Sequence, residues 1–451
     1  MSYCTESFGA YDLRGIYPKT INEEIAYRIG RFFPDLFTAK KLVVGNDIRL
    51  SGPALKEALI KGVTESGCDV IDIGQCGTEM VYFATAHLKM DGGIMITASH
   101  NPKEYNGMKL VRQEARPISG DTGLRELEKQ VADGELPAMA EKAGQVEKLY
   151  IAEEYVKHIL SYVDADKLKS LKVVVNAGNG AAGPIIDVME KYLPFELVKV
   201  YHKPDGNFPN GVPNPLLPEN REATAKAVRE SRADAGVAWD GDFDRCFMFD
   251  EQGIFIEGYY MVGFLAQAFL QKNPASKIIY DPRLTWNTEE LVAENGGIPV
   301  ISKSGHAFIK EKMRAENAIY GGEMSAHHYF RDFSYCDSGM IPWLLVLELL
   351  SQADGRHLSE LMQERMARYS VSGEINSKVK DADEVLARIE AEYGPQGKVT
   401  KIDGLSVEFS NWRFNLRKSN TEPVIRLNVE TRQNEALMRS KTDELLSKIR
   451  A

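Results

Sequence analysis

Several marks of secreted, membrane-bound and nucleic-acid-binding proteins are scarce in this sequence or missing from it. Its 451 residues include five scattered cysteines, and no two of them have C-x-x-C spacing. We therefore predict a reduced, cytoplasmic protein without a disulfide framework or a zinc site. The acidic residues outnumber the basic ones by 65 to 55, for a net charge of −10. Because nucleic acids and anionic membranes both attract clustered positive charge, this balance argues against either as a partner.

Long apolar runs are missing as well. The most apolar segments, YYMVGFLAQAFL and MIPWLLVLELL, are shorter than the ~20 residues that cross a bilayer, so we interpret both as buried helices. The N-terminal stretch MSYCTESFGAYDLRG lacks a basic region followed by an apolar one, so we expect no signal peptide. We expect a small molecule as the partner, and a monomer or a homodimer as the oligomeric state.

One pattern of strand, polar loop, helix and strand occurs three times, beginning with the runs KLVVG, LKVVV and SKIIY. This βαβ pattern is typical of mostly parallel sheets. Beyond about residue 366 the pattern changes to a helix, several strands and a last helix. The fold class is therefore predicted to be α/β, with three consecutive α/β domains of mixed, mostly parallel sheets plus a C-terminal α+β domain. The expected domains are residues 1–148, 149–250, 251–368 and 369–451.

The segment TASHNPKEYNG contains a serine in a suggestive position. It follows the apolar run GGIMI, and loops at the carboxyl ends of strands in open α/β sheets commonly bind ligands. By itself, Ser99 is more simply explained as a helix cap or a turn former. A serine hydrolase triad is disfavoured, because no G-x-S-x-G elbow is present and because adjacent side chains of an extended segment, here Ser99 and His100, point to opposite faces. A nucleophilic Ser99 would need a phosphoryl group and a metal.

The segment AGVAWDGDFDRCFMF places Asp240, Asp242 and Asp244 at alternate positions between two apolar runs. Three carboxylates this close repel one another unless a cation lies among them, and hard ions such as Mg²⁺ prefer oxygen ligands. The alternatives are a solvated acidic turn and a calcium-binding EF-hand. The EF-hand is disfavoured because Arg245 stands where its loop requires glycine, and because the flanks resemble strands.

Two further loops carry polar side chains in less specific patterns. In YGGEMSAHHYF the alternating residues Glu323, Ser325 and His327 would share one face of an extended loop, which suits contacts to vicinal hydroxyls. The upstream segment KSGH adds Lys303 and His306. In LRKSNTEPVIRL a guanidinium, hydroxyls and an amide suit a phosphate, and they belong to Arg417, Ser419, Asn420 and Thr421. Taken alone, YGGEMSAHHYF is better explained as a turn that carries a surface histidine pair, and an ordinary hairpin loop explains LRKSNTEPVIRL equally well.

The segment GNGAAG, residues 178–183, matches the G-x-G-x-x-G pattern of dinucleotide-binding proteins. In those proteins an acidic residue ends the next strand. Here that strand, FELVKVYHKPDG, ends in Tyr201 and His202. We therefore interpret the glycines as a tight turn between a strand and a helix, and NAD binding as the less favoured alternative.

Taken together and in this order, the four polar loops resemble those of the α-D-phosphohexomutase family. The segments that carry the resemblance are TASHNPKEYNGMKL, DGDFDR, GEMSAHH and RKSNTEP, and it extends along essentially the whole chain. The segments GEMSAHHYFRDF and DGNFPNGVPNPLLPE are most similar to the bacterial branch of the family that acts on mannose phosphates. The resemblance implies four domains around a central cleft.

The family's reaction moves a phosphoryl group between O6 and O1 of a hexose, and it implies a role for each loop. Ser99 would be phosphorylated and act as the donor, and its phosphate would bind Mg²⁺ together with Asp240, Asp242 and Asp244. The implied catalytic residues around it are Arg14, His100, Lys109 and Arg245, with His100 or Lys109 as the general base. The implied substrate-binding residues are Lys303, His306, Glu323, Ser325, His327, Arg417, Ser419, Asn420 and Thr421.

The resemblance thus implies interconversion of mannose 6-phosphate and mannose 1-phosphate, through a hexose 1,6-bisphosphate that is both intermediate and activator. The product would supply GDP-mannose for polysaccharide synthesis. Dual specificity for mannose and glucose phosphates is one alternative, and relatives with that property often carry glycine where Ala326 stands. A metal-dependent sugar phosphatase and a non-catalytic sugar-phosphate sensor are less favoured, because neither needs the complete set of loops.

Overall fold

A computed structural model of the chain describes residues 3–418 and 424–451, and its elements form four successive groups. The first group contains β1 (Leu13–Ile16), α1 (Glu23–Leu36), β2 (Lys41–Asn46), α2 (Gly52–Glu65), β3 (Asp69–Gln75), α3 (Thr78–His87), β4 (Gly92–Ile96), β5 (Tyr105–Arg112), β6 (Arg116–Pro117), α4 (Leu124–Asp133) and β7 (Val146–Lys148). The sheet has the strand order β1-β5-β4-β2-β3-β7, with β6 beside β5. Strands β4, β2, β3 and β7 are parallel, and β5 runs antiparallel to β4 and β1.

Helix α1 illustrates how the sequence forms these elements. The side-chain oxygen of Asn22 accepts a hydrogen bond from the Ile25 N–H at 3.1 Å and caps the first turn. Ile25, Ile29 and Phe33 recur at helical spacing and are buried in the core that this helix shares with α2 and the sheet.

The second group contains α5 (Ala152–Leu160), β8 (Lys172–Asn176), α6 (Ala182–Met189), β9 (Glu196–Val200), α7 (Glu222–Ser231), β10 (Ala235–Trp239), β11 (Cys246–Phe249) and β12 (Phe255–Ile256). Its strand order is β12-β11-β10-β8-β9. Strands β9, β8 and β10 are parallel, and β11 runs antiparallel to β10.

The third group contains α8 (Gly258–Lys272), β13 (Lys277–Tyr280), α9 (Trp286–Glu294), β14 (Ile298–Ile301), α10 (His306–Glu316), β15 (Tyr320–Gly322), β16 (His328–Phe330), β17 (Cys336–Asp337), α11 (Met340–Ser351) and α12 (Leu358–Arg368). Strand β13 pairs in parallel with β14 and β15, and β16 pairs antiparallel with β17. The prediction that the two most apolar segments are buried helices is confirmed, because they form much of α8 and α11. Among the helices of the described residues, none combines the length and the apolar character needed to cross a membrane.

The last group contains β18 (Tyr369–Val371), β19 (Ile375–Ser377), α13 (Ala382–Tyr393), β20 (Lys398–Thr400), β21 (Leu405–Glu408), β22 (Trp412–Lys418), β23 (Ile425–Arg432) and α14 (Glu435–Arg450). Its antiparallel sheet has the order β18-β23-β22-β21-β20, with β19 also beside β23. The predicted class, three α/β groups followed by an α+β group, is confirmed. The chain forms two compact units, one of Met1–Phe255 with Tyr329–Gly355 and one of Ile256–His328 with Arg356–Ala451.

Candidate active site

Ser99 follows β4 and has a left-handed backbone conformation, with a φ of 47° that non-glycine residues rarely adopt. Its hydroxyl donates a hydrogen bond to Oδ2 of Asp240 at 2.7 Å and lies 3.0 Å from Nδ1 of His100. The expectation that the side chains of Ser99 and His100 diverge is wrong. It assumed an extended backbone, whereas the left-handed turn brings the hydroxyl and the imidazole together.

Two residues that no sequence motif singled out, Asp47 and Arg49, hold this loop from the side of β2. Asp47 accepts a hydrogen bond from the Thr97 hydroxyl at 2.6 Å, and that hydroxyl accepts one from the Ser99 N–H at 2.8 Å. Arg49 donates to backbone carbonyls of the loop, and both residues are buried. Their signal in the sequence is only a D-x-R pair after a β-branched strand.

Asp240, Asp242 and Asp244 lie in the turn between β10 and β11. Their relative exposures are 0%, 0% and 1%, so the alternative of a solvated acidic turn is wrong. Each offers a carboxylate oxygen within 4.8 Å of the other two. Strands flank the turn on both sides, which also removes the EF-hand alternative, since that motif requires flanking helices.

The chemistry of this acidic cluster fits a hard divalent cation. Among the described residues, Oδ1 of Asp242 finds no hydrogen-bond donor although it is buried. A buried carboxylate oxygen without a partner is unfavourable unless a cation or a water molecule meets it. Three monodentate carboxylate oxygens are the kind of ligand set that Mg²⁺ accepts, with its other positions left to water or phosphate oxygens.

Lys109 on β5 faces the same cluster. Its Nζ lies 2.7 Å from Oδ2 of Asp242 and 2.5 Å from Oδ2 of Asp244. Burial disfavours the charged forms of both Asp242 and Lys109, but the attraction between the opposite charges is larger. The pKa of Asp242 is therefore held below its ordinary value by Lys109, and the pKa of Lys109 is raised by the two carboxylates. This places a fixed positive charge beside Ser99 and its acidic neighbours.

Arg245 and Arg14 bring two further positive charges. Nε of Arg245 lies 3.1 Å from Oδ2 of Asp240, and its guanidinium also contacts His100. Burial raises the pKa of Asp240 in spite of the opposing charge of Arg245. Arg14 on β1 donates to Asp12 at 2.8 Å and to the side chain of Asn101 at 2.6 Å, and Asn101 belongs to the Ser99 loop.

The glycine-rich segment 178–183 supports the acidic turn. Ala181 donates its N–H to the carbonyl of Gly241 at 3.0 Å, and a Cβ on Gly180 would lie 2.8 Å from the same oxygen. Gly178 has a φ of 58°. The glycines therefore permit two backbones to approach closely, which favours the interpretation as a tight strand–helix turn over dinucleotide binding.

In the second compact unit, Glu323 and Ser325 converge on the buried guanidinium of Arg283. Nη2 of Arg283 lies 3.2 Å from Oε1 of Glu323 and 3.2 Å from Oγ of Ser325. Asp281 accepts two hydrogen bonds from the guanidinium of Arg283, at 2.8 and 2.9 Å, and a third from its backbone N–H at 2.9 Å. Glu323 also accepts the N–H of Gly305 at 2.9 Å. No sequence pattern pointed to Arg283, because it lies 40 residues from its loop partners in the chain.

The other residues expected to hold the sugar, Lys303, His306 and His327, lie in the same unit. The rings of His306 and His327 have their centroids 6.5 Å apart. The carbonyl of His327 accepts the N–H of Glu323 at 2.9 Å. Lys303 places its ammonium 4.6 Å from the ring centroid of Phe308.

Arg417 lies near the end of β22 and forms part of a buried charge network in the second unit. Its Nη2 lies 3.0 Å from Oε2 of Glu374, which also pairs with Arg426 at 3.0 Å and with Arg283 at 3.6 Å. Burial raises the pKa of Glu374, but the three guanidinium groups together lower it by more, so it stays below its ordinary value. Glu374 thus joins Arg417 to Arg283. The other predicted phosphate-binding residues, Ser419, Asn420 and Thr421, lie outside the described residues.

Four family models match the chain in succession. Their descriptions read phosphoglucomutase/phosphomannomutase, and they cover α/β/α domain I at residues 5–137, α/β/α domain II at 153–253, α/β/α domain III at 257–369 and the C-terminal domain at 374–447.

Full-length relatives match as well. A protein of Xanthomonas campestris pv. campestris with the name phosphohexose mutases is 59% identical over 98% of this chain and 99% of its own. The phosphomannomutase of Escherichia coli K12 is 56% identical over 98% of both chains. The solved structure of a phosphoglucomutase/phosphomannomutase family protein from Burkholderia thailandensis superimposes with a TM-score of 0.88 at 34% identity, covering 99% of this chain and 98% of that one.

Proposed function

The chain belongs to the phosphoglucomutase/phosphomannomutase family of α-D-phosphohexomutases, and from this we propose that it interconverts mannose 6-phosphate and mannose 1-phosphate. The proposed product supplies GDP-mannose synthesis. Relatives at 56–57% identity that carry the name phosphomannomutase support the mannose substrate. The observation that carries the chemistry is the buried Ser99 hydroxyl, 2.7 Å from Asp240 within a cluster of carboxylates and cationic side chains.

In the proposed reaction Ser99 begins as a phosphoserine. The free hydroxyl of the sugar phosphate attacks the phosphorus atom, a P–O bond forms to the sugar, and the bond between phosphorus and Oγ of Ser99 breaks. The proton of the attacking hydroxyl passes to a base. The product is a hexose 1,6-bisphosphate, which turns around so that its other phosphoryl group returns to Ser99 by the reverse step. A trace of this bisphosphate would also act as an activator by phosphorylating any free Ser99.

We favour His100 as the base. Its Nδ1 lies 3.0 Å from Oγ of Ser99, a distance at which it can give a proton to Oγ as the P–O bond breaks and take that proton back when Ser99 attacks in the return step. Lys109 is the other candidate, but its two carboxylate partners raise its pKa and keep it protonated. A protonated Lys109 is better suited to stabilise the charge of the transferring phosphoryl group, together with Arg245 and Arg14.

We propose Mg²⁺ as the metal, held by Asp240, Asp242, Asp244 and a phosphate oxygen on Ser99. When bound, it would supply positive charge to the transferring phosphoryl group. The oxygen-only ligand set supports this choice.

The second unit offers groups for the rest of the substrate. We assign the sugar hydroxyls to Glu323 and Ser325, with Lys303, His306 and His327 around them. The phosphate that does not react is assigned to Arg417 with Ser419, Asn420 and Thr421. Because the bisphosphate must bind in two orientations, these contacts should use groups that look alike after a half-turn, such as O3 and O4 of the sugar.

A dual-specificity enzyme is the second candidate. Mannose and glucose differ in the orientation of the hydroxyl at C2. Contacts to O3 and O4 alone would therefore discriminate poorly between the two sugars. The 59%-identical relative named phosphohexose mutases favours this alternative. We also propose a reducing, cytoplasmic location, because all five cysteines are unpaired. A monomer or homodimer stays a prediction.

A paired turnover assay tests the proposed function. Mannose 1-phosphate and glucose 1-phosphate are supplied separately with Mg²⁺ and a trace of hexose 1,6-bisphosphate, and 6-phosphate formation is followed. A strong preference for mannose supports the first candidate, and equal rates support dual specificity. Release of inorganic phosphate in place of 6-phosphate formation would contradict both and indicate a sugar phosphatase.

A further inference from the structure

Arg49 lies three residues after the end of β2 and is almost inaccessible, with 1% of its surface exposed. Its guanidinium donates to four backbone carbonyls of the Ser99 loop. Nη2 reaches the carbonyls of Ser99 at 2.9 Å and Asn101 at 2.6 Å, and Nη1 reaches those of Pro102 at 2.8 Å and Tyr105 at 2.7 Å. One side chain therefore fixes both ends of the loop.

The same loop is held from a second side. Asp47, also 1% exposed, lies with Oδ2 3.5 Å from Nε of Arg49 and accepts the Thr97 hydroxyl at 2.6 Å. The Thr97 hydroxyl in turn accepts the N–H of Ser99 at 2.8 Å. Both backbone groups of Ser99, its N–H and its carbonyl, are thus tied to one buried ion pair.

This arrangement explains how Ser99 keeps a strained conformation. A φ of 47° is unfavourable for a serine and persists only where the surroundings enforce it. The carbonyl of Ser99 also leaves no room for a side chain at Gly241 in the acidic turn, because a Cβ there would lie 2.5 Å from it. We call the four hydrogen bonds from Arg49 to this loop the Arg49 clamp. By holding the Ser99 carbonyl, the clamp sets its distance from Gly241, the residue next to Asp240.

Arg49 further contacts the second α/β group of the first unit. Its guanidinium carbon lies 5.4 Å from the ring centroid of Phe208. Phe208 belongs to the segment DGNFPNGVPNP, and Pro213 of that segment lies 3.9 Å from a Cβ placed on Gly241. The guanidinium thus connects the loop that carries Ser99 with the part of the chain that borders the acidic turn.

We propose that Arg49 is a positioning residue for phosphoryl transfer, which holds Ser99 in line with its acceptor without touching the substrate. This inference rests on the proposed function, because it assumes that Ser99 transfers a phosphoryl group to a sugar phosphate. Lysine cannot replace the clamp, because a single ammonium presents three donors from one atom and cannot span four carbonyls as the planar fork does. A misplacement of about 1 Å lowers transfer rates by roughly a hundredfold.

The test compares Arg49→Lys with the matched control Arg28→Lys. Arg28 is another buried arginine of the first group, and it donates to the backbone carbonyls of Val131, Gln130 and Gly134 away from Ser99. Each protein is labelled with ³²P at its serine by hexose 1,6-bisphosphate and freed of excess ligand. Single-turnover transfer to mannose 6-phosphate, label lost to water, and steady-state kcat and KM are then measured, and Tm is recorded for each variant.

We expect Arg49→Lys to slow single-turnover transfer and kcat by roughly 10- to 100-fold while KM changes by less than about threefold. The ratio of label lost to water over label transferred should rise. Arg28→Lys should leave both rates near those of the unmodified enzyme, even if its Tm falls by as much as that of Arg49→Lys. Thr97→Val removes the hydrogen bond to the Ser99 N–H and should lower kcat in the same way. It replaces Arg49→Lys in the test if that variant does not fold.

Unchanged transfer in Arg49→Lys and Thr97→Val would overturn the positioning role. So would equal losses in Arg49→Lys and Arg28→Lys that follow the loss of Tm, since these would show a purely structural effect. Failure of the unmodified, labelled enzyme to transfer to any hexose phosphate would instead refute the proposed function, and with it this inference.

Discussion

Lys109 and the three aspartates form a charge cluster in which the ammonium of the lysine and a bound cation would repel each other. Lys109 lies within 2.7 Å of Asp242 and 2.5 Å of Asp244. Replacing it by methionine removes that repulsion, so Lys109→Met should bind a divalent cation more tightly. It should also lose transfer activity by roughly 10²- to 10³-fold, because the positive charge that meets the phosphoryl group is gone.

Calorimetric titration with Mg²⁺ and Mn²⁺, paired with a turnover assay, checks this prediction. Lys56→Met is the matched control, since Lys56 pairs with Asp72 at 2.9 Å elsewhere in the same group. Weaker metal binding in Lys109→Met, or full activity, would contradict the proposed role of the Lys109 charge.

His328 predicts a pH dependence of stability. Burial, with the nearby His327, lowers the pKa of His328 to about 3, and its Nδ1 is 2.7 Å from the Tyr320 hydroxyl. The folded state therefore keeps His328 neutral where the unfolded state takes up a proton. This contribution to stability is complete above pH ~6.5 and is lost as the pH falls from there toward 3, at up to ~1.4 kcal/mol per pH unit.

The variant His328→Gln removes this titration and keeps a side chain that can bond Tyr320. Thermal unfolding at pH 7 and pH 5 should show a smaller loss of Tm on acidification in the variant than in the unmodified protein. An identical loss in both would mean that His328 does not contribute in this range.

Single residues also show where sequence-based reasoning stops. The acid-rich turn at Asp240 was predictable, because carboxylates at alternate positions between apolar runs repel one another unless a cation joins them. Arg49 and Arg283 were not, because an arginine is recognised as a clamp only when its distant carbonyl and carboxylate partners are known. The contact between Ser99 and His100 depends on one φ angle that the residue types do not reveal.

At the scale of elements, the start of α3 supports the acidic turn. Thr78 donates its backbone N–H to the carbonyl of Asp242 at 3.1 Å, and its hydroxyl contacts the carboxylate. Gly77 precedes this helix, and a Cβ there would lie 2.2 Å from the ring of Phe243. Gly77→Ala should therefore displace the turn and weaken metal binding roughly tenfold, in line with the ~1–3 kcal/mol that overpacking costs.

Gly120→Ala provides the comparison, because a Cβ at Gly120 meets nothing closer than 3.6 Å. Metal titrations of both variants should show the loss in Gly77→Ala alone. Equal affinities in the two variants would show that the turn does not depend on this helix.

The elements themselves were largely predictable from the sequence. The three βαβ units were signalled by β-branched runs followed by helical spacing, and β2, β8 and β13 each begin one of them. The short strands β6, β12 and β17, of two residues each, carry too few residues for any periodicity. They exist because neighbouring strands offer them hydrogen-bond partners.

At the scale of the whole molecule, the two compact units each have their own buried charge network. In the second unit, Glu430 is fully buried and accepts hydrogen bonds from the Thr285 N–H at 2.7 Å, from Arg413 at 2.7 Å and from the Tyr259 hydroxyl at 2.5 Å. Glu430→Gln leaves the buried charge of Arg413 without its counter-charge. Such a loss costs about 3–5 kcal/mol.

Scanning calorimetry should therefore show that Glu430→Gln lowers the unfolding temperature of one transition and leaves a second one in place. Glu435→Gln, which breaks an exposed ion pair with Arg439, should leave both unfolding temperatures nearly unchanged, because exposed ion pairs contribute little to stability. A single transition that moves as a whole would show that the two units unfold together.

The central claim is that Ser99 is the phosphoryl donor, and the most direct test is to find the phosphoryl group. The enzyme is incubated with ³²P-labelled hexose 1,6-bisphosphate, digested and mapped, beside Ser99→Ala treated in the same way. We predict label on the peptide that contains Ser99, its transfer to added mannose 6-phosphate, and neither labelling nor turnover in Ser99→Ala. Label on another residue, or undiminished turnover in Ser99→Ala, would contradict the account.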